Sequence, residues 1–193
     1  TDISDKMLYN AESKGTLENL SFQKLNLLEL KKINRKFDAV ISNLGGLNCL
    51  NDLSQVNEDL NRLIKPRGFF IASLMPQFCL WEFALLFKGE IKRALRRIKK
   101  NGVVANVGGD NIILRYYSPK NFYRYFKNNF EIKSLKGLRI FAPPQPAGHW
   151  YNKYPKTTSL LDRIDNKIEN FYLKFSLKIN LLYYRISYNI IFF

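Results

Sequence analysis

Apolar positions follow two rhythms along this 193-residue chain. In "ISDKMLYNAESKG", Met7, Leu8 and Ala11 keep helical spacing, Ser4 is placed to cap the helix, and Gly15 to stop it. "LSFQKLNLLEL" predicts a strand from Leu20 to Leu25. "KFDAVISN" predicts another, nearly continuous in apolar residues after Asp38, as in a strand covered on both faces. In "LSQVNEDLNRLI", Leu53, Val56, Leu60, Leu63 and Ile64 share one side of an amphipathic helix, which "KPRG" ends. "FFIASLMP" is a further buried strand.

A helix is predicted around 81–99, before Asn101 and Gly102. "VVANVGGDNIILRYY" reads as a hairpin with Gly108 to Asn111 at its turn. Ser118 and Pro119 start a helix in "SPKNFYRYFKNN". "FEIKSLKGLRIF" returns as a strand and meets the "APPQPAG" loop. One or two helices are expected over 157–182, then a closing strand in "YRISYNIIFF". Strands alternating with helices predict an α/β unit with a mainly parallel sheet. The length suits one domain, 1–193, with 75–118 as a segment inserted between core strands.

Charge changes this picture more than composition does. The net charge is +15, a surface that attracts polyanions or anionic membrane. "KGEIKRALRRIKKNG" concentrates basic side chains around an apolar side, a pattern that suits phosphates, anionic lipid or plain solvation of one helix face. Cys49 and Cys79 form neither a disulfide framework nor a metal cluster, which predicts a reducing, cytoplasmic setting. The opening "TDISDKMLYN" lacks the basic start and apolar core of a secretory leader. The greasy C-terminal stretch is interrupted by Lys174, Lys178 and Arg185, so no membrane span is expected.

The candidate chemistry lies where strands end. "FDAVISNLGGLNCL" turns from a core strand into a polar, glycine-bearing corner, and ligands of open α/β sheets bind beyond the carboxyl ends of strands. Glycines there allow close backbone approach, or simply make a turn. Asp2, between a strand end and a helix, suits a helix cap or a ribose-binding carboxylate. Asn26 is a turn residue whose amide can both accept and donate. Gln77, Trp81 and Glu82 follow another strand end, where they line a pocket or begin a packed helix. His149, the only histidine, is a surface residue or a base of near-neutral pKa.

Taken in order, these pieces resemble class I S-adenosylmethionine-dependent methyltransferases of the small-molecule methyltransferase-domain branch. "TDISDKMLYNAESKG" looks like the segment after the family's second strand, and "LSFQKLNLLEL" like the third strand and its loop. "FDAVISNLGGLNCLNDL" looks like the fourth strand and its loop, and "LIKPRGFFIASLMPQFCLWE" the fifth. "YYSPKNFYRYFKNNFEIKSLKGLRIFAPP" and "YRISYNIIFF" resemble the last helix and strands. The resemblance implies a Rossmann-like methyltransferase fold with helices on both faces of a mainly parallel sheet. It also implies an N-terminally incomplete one, without the first strand and glycine-rich motif, carrying an inserted helix and hairpin. It implies S-adenosyl-L-methionine as cofactor, with contacts from Asp2, Ile3, Asn26, Leu27, Ser42, Asn43, Leu44 and Gly45. The ribose carboxylate falls on Asp2. Asn26 stands where the family usually has Asp, and Arg67 replaces the first glycine of "KPGG". The implied acceptor is a small molecule or a lipid-linked intermediate, with anionic membrane as a further contact and nucleic acid less favoured. No catalytic residue or metal is assigned. The competing readings are a basic RNA-binding or RNA-modifying protein and a noncatalytic remnant.

Overall fold

The computed structural model describes residues 1–15, 17–43, 45–99, 101–107, 110–135, 140–143, 149–176 and 189–192. The chain opens with α1 (Asp5–Glu12), whose N-terminus is capped as expected: the Ser4 hydroxyl accepts from the Met7 amide. A 3-10 turn over Leu27–Lys32 leads into β1 (Phe37–Ser42), a short 3-10 turn (Gly46–Cys49) and α2 (Ser54–Leu63). Next come β2 (Ile64–Ala72), α3 (Leu80–Phe83), α4 (Ile91–Ala94) and the hairpin of β3 (Val103–Val107) and β4 (Asp110–Leu114). The last elements are α5 (Pro119–Phe126), β5 (Glu131–Leu135), α6 (His149–Lys153), α7 (Pro155–Ser176) and β6 (Asn189–Phe192).

Four strands form one sheet in the order β1-β2-β6-β5, and every neighbouring pair is parallel. Val40, Ile41 and Ser42 stand beside Phe70, Ile71 and Ala72, so these two strands end at the same level. β3 and β4 pair antiparallel in a separate ribbon, as the sequence predicts, with turn residues Gly108 and Gly109 outside the described residues.

The core lies on one face of the sheet. Leu53, Val56, Leu60 and Leu63 of α2 and its flank are buried with Ile64, Phe70, Phe122, Phe126 and Phe130. The Phe70 ring sits 5.5 Å from Phe126 and 6.0 Å from Phe130, and Phe122 stacks on Phe126 at 4.6 Å. Arg62 fastens α2 to the first 3-10 turn by donating to the carbonyls of Leu30 and Ile33.

The structure departs from four sequence expectations. Leu20 to Leu25 form no strand. Only Lys24 pairs, in an isolated parallel bridge with Asp2, and the chain after Asp2 turns at once into the capped α1. β1 is not covered on both faces. Side chains alternate along a strand, and while Phe70 and Ala72 point into the core, Ile41 is 66% exposed and Phe69 42% on the other side. The expected helix over 81–99 is broken into α3, a 3-10 turn, α4 and a second 3-10 turn, with Gly89 left-handed (φ +74°) at the break. "KPRG" does not simply separate α2 from a strand. Ile64 already pairs with Phe37, and the pairing resumes at Phe69 with Ala39 after a bulge within β2. In that bulge Arg67 adopts φ +68°. Gly68 is sterically required, since a Cβ would lie 2.6 Å from Ile64 Cγ2 and 2.7 Å from the Asp38 carbonyl. The segment 177–182, most of "APPQPAG" and much of "YRISYNIIFF" lie outside the described residues.

Candidate functional site

The polar corner after β1 is built around one buried amide. Asn48 is fully buried, and its side chain joins three parts of the chain. Its Oδ1 accepts from the Met75 amide at 2.9 Å, and its Nδ2 donates to the carbonyls of Met75 and Arg115. Its own carbonyl accepts from the Arg115 amide at 2.7 Å. The loops after β1 and β2 are further tied by the Ser73 amide, which donates to the Ser42 carbonyl. Gly45 turns the corner with φ +73°, and a Cβ there would lie 3.0 Å from Met75 Cε and 3.2 Å from Asn48 Oδ1. Asn48 is therefore a structural staple, not a substrate contact.

A second strand end reaches this corner. The Leu25 amide donates to the Asp2 carbonyl, and the Asp2 amide to that of Gln23, setting Asp2 beside the chain that leads to Asn26 and Leu27. A Cβ built on Gly46 lies 3.8 Å from Leu27 Cδ1 and 3.9 Å from Ser42 Oγ, so the Asn26–Leu27 turn and the Ser42–Gly46 corner are neighbours. The Asp2–Lys24 pair itself stands outside the four-stranded sheet. Asp2 Oδ1 accepts from the Ser4 amide at 2.8 Å, and its Oδ2 takes no bond among the described residues. Asn26 caps the 3-10 turn, with Oδ1 accepting from the Leu28 amide at 2.9 Å. Its Nδ2 remains a donor. Ile3 and Asn43 are exposed, and Leu44 lies outside the described residues.

The other candidates gather elsewhere. Glu82 accepts from Arg96 through two nitrogens and from Arg97 through one, at 2.7–2.8 Å. Burial pushes its pKa upward, but the hydrogen bonds and charges of the two guanidinium groups outweigh this and hold it down at about 2. A carboxylate so engaged is a clamp, not a proton acceptor. Trp81 donates to the Phe141 carbonyl and meets Trp150 edge-on at 5.3 Å. His149 is exposed beside Trp150. Burial raises the Tyr117 pKa to about 12, and its hydroxyl donates to the Leu50 carbonyl. A depression of about 400 Å³, lined by Pro155, Lys156, Ser159, Leu160 and Arg163 on α7, contains none of these groups.

A family model described as "Methyltransferase domain" matches residues 1–72, from Asp2 and its helix to the last residue of β2. Residues 1–72 are thus similar to a methyltransferase domain. No curated protein and no solved structure matches the chain. Every residue of the candidate cofactor corner falls inside the methyltransferase-domain segment. The partners of its staple Asn48 do not: Met75 and Arg115 come from the chain beyond it, and sequence patterning gave no sign of that link. Among the described residues, no helix is long and apolar enough to cross a membrane, and no cluster of ligating side chains suits a metal.

Proposed function

We propose that this protein transfers a methyl group from S-adenosylmethionine to a small-molecule or lipid-linked acceptor. One observation carries the reading. Within the segment that matches a methyltransferase domain, the Asn26–Leu27 turn packs against the Ser42–Gly46 corner, at the end of β1 where α/β sheets bind ligands. The donor set fits a nucleoside. Asp2 has a carboxylate oxygen left to accept from ribose hydroxyls. Asn26, whose oxygen is already engaged, is left to donate to an adenine ring nitrogen rather than to accept from the amino group. Ile3 and Leu27 offer apolar flanks, and the Asn43 backbone carbonyl, which already accepts from the Gly46 amide, keeps a second lone pair for the amino group of the methionine half.

Bound there, the cofactor supplies an electrophilic methyl group on its sulfonium. The protein's part is to hold acceptor and methyl carbon close, aligned and dry, which needs no nucleophilic side chain. Calorimetric titration with S-adenosylhomocysteine tests this. Binding is expected, and Asp2→Asn, which keeps the bond to the Ser4 amide but removes the charge, weakens it by about tenfold or more. No heat at millimolar ligand overturns the proposal, and unchanged affinity in Asp2→Asn removes Asp2 from the site.

A further inference from the structure

The segment 78–99 presents a surface that the methyl-transfer reading does not use. Exposed apolar side chains recur along it every three or four residues, across α3, α4 and their 3-10 turns: Phe83, Phe87, Ile91, Leu95 and Ile98. Phe87 is 96% exposed, and Phe78, itself exposed, lies 5.5 Å from Phe83. Single exposed apolar residues are ordinary on a protein surface; a run of them on one short stretch needs a partner.

Charge identifies the partner. Lysine directly follows three of these side chains, in Phe87–Lys88, Ile91–Lys92 and Ile98–Lys99. These lysines are exposed and make no ion pair among the described residues. Both carboxylates of the segment are already neutralised, Glu82 by Arg96 and Arg97, and Glu90 by Arg93. The Glu82 clamp also ties the part around Arg96 back to α3, so the two halves are presented as one folded piece.

From this pattern we infer that residues 83–99 form a docking surface for an anionic lipid bilayer, with Phe87 and Ile91 inserting at the acyl boundary and the lysines meeting headgroup phosphates. Apolar burial plus attraction of each lysine to anionic lipid is the mode of interfacial helices that lie on a membrane without crossing it. A second copy of this chain brings like charge to the contact, and an RNA leaves Ile91, Leu95 and Ile98 in water. The inference stands apart from methyl transfer and survives its failure.

Flotation of the full chain with vesicles tests it, using phosphatidylcholine alone against equal parts phosphatidylcholine and phosphatidylglycerol. The protein is expected to float with the mixed vesicles and far less with the neutral ones. Lys88→Ala with Lys92→Ala lowers the partition coefficient about 25-fold, at roughly fivefold per lysine. Phe87→Ser with Ile91→Ser lowers it by about tenfold or more while circular dichroism stays unchanged, since both side chains are exposed. As a second readout, Phe87→Trp gives indole fluorescence that shifts to the blue on adding mixed vesicles. The inference is overturned if Phe87→Ser/Ile91→Ser floats like the parent, if neutral and mixed vesicles capture the protein equally, or if a homopolymeric RNA binds where vesicles do not.

Discussion

Two regions of this protein are held by opposite means. The corner after β1 is held by a neutral side chain: Asn48, buried, makes hydrogen bonds to the backbone of Met75 and Arg115 and has no charge to lose. The segment around α3 and α4 is held by charge: Glu82 with Arg97, both largely covered, and with the more exposed Arg96. Buried polar groups must be paired, and once paired without charge they fix geometry with no dependence on pH or salt. An ion pair near the surface keeps such dependence. The candidate cofactor corner, which needs fixed positions, has the first kind of support, and the basic segment of α3 and α4 the second.

The largest expected effect lies in the corner. Asn48→Ala removes the side-chain bonds to the Met75 amide and to the carbonyls of Met75 and Arg115 in a partly buried place. At about 1 kcal/mol or more for each orphaned group, the loss is about 3 kcal/mol. Urea unfolding measures it, and a loss below about 1 kcal/mol means that water or a neighbour takes over the bonds.

The clamp is expected to matter less, and only where it ionises. The folded pKa of Glu82 lies well below its ordinary value of 4.5, so the contribution is whole above that value and drains as the pH falls toward about 2. Arg96 is 43% exposed at its side chain, so solvent screening limits the contribution to about 1–2 kcal/mol. Between about pH 5 and pH 2, the parent should lose that much more stability than Glu82→Gln. Hydrogen exchange sharpens the contrast. The Arg115 amide, which donates to Asn48, should stay protected over the same range while the amides of Leu95 and Ile98 open. Parallel losses in parent and Glu82→Gln would sink the assignment of the clamp.

The sequence made some of this legible and hid the rest for a physical reason. The caps of Ser4 and Ser118 and the buried side of α2 could be read directly, because they depend on residues three or four apart. The staple could not, because its partners lie 27 and 67 residues from Asn48. Nor does an apolar run say which face of a strand will find cover, which is how Ile41 came to be expected in a core. Asp2, Asn26 and the corner glycines stood out as candidates at predicted strand ends, with caps and turns as the alternative, and only the family resemblance gave them cofactor roles. Their local duties, an Asx bond at Asp2 and a cap at Asn26, follow from residue type, but the contact between Leu27 and Gly46 needed the folded chain.

The smallest effects concern two left-handed positions, one occupied by glycine and one not. Gly45→Ala places a Cβ at φ +73° and 3.0 Å from Met75 Cε, and should cost about 1–2 kcal/mol, whereas Gly46→Ala, with its nearest neighbour at 3.8 Å, should cost far less. Arg67 holds φ +68° with a side chain attached, where the resembling family has glycine. A left-handed non-glycine residue carries about 1–2 kcal/mol of strain, while glycine there adds about 0.4–1 kcal/mol of unfolded-chain entropy. Relief exceeds entropy, so Arg67→Gly should stabilise the protein by about 0.5 kcal/mol, read as a small rise in melting temperature. A fall of the same size would show that the Arg67 side chain stabilises the bulge by more than the strain it carries.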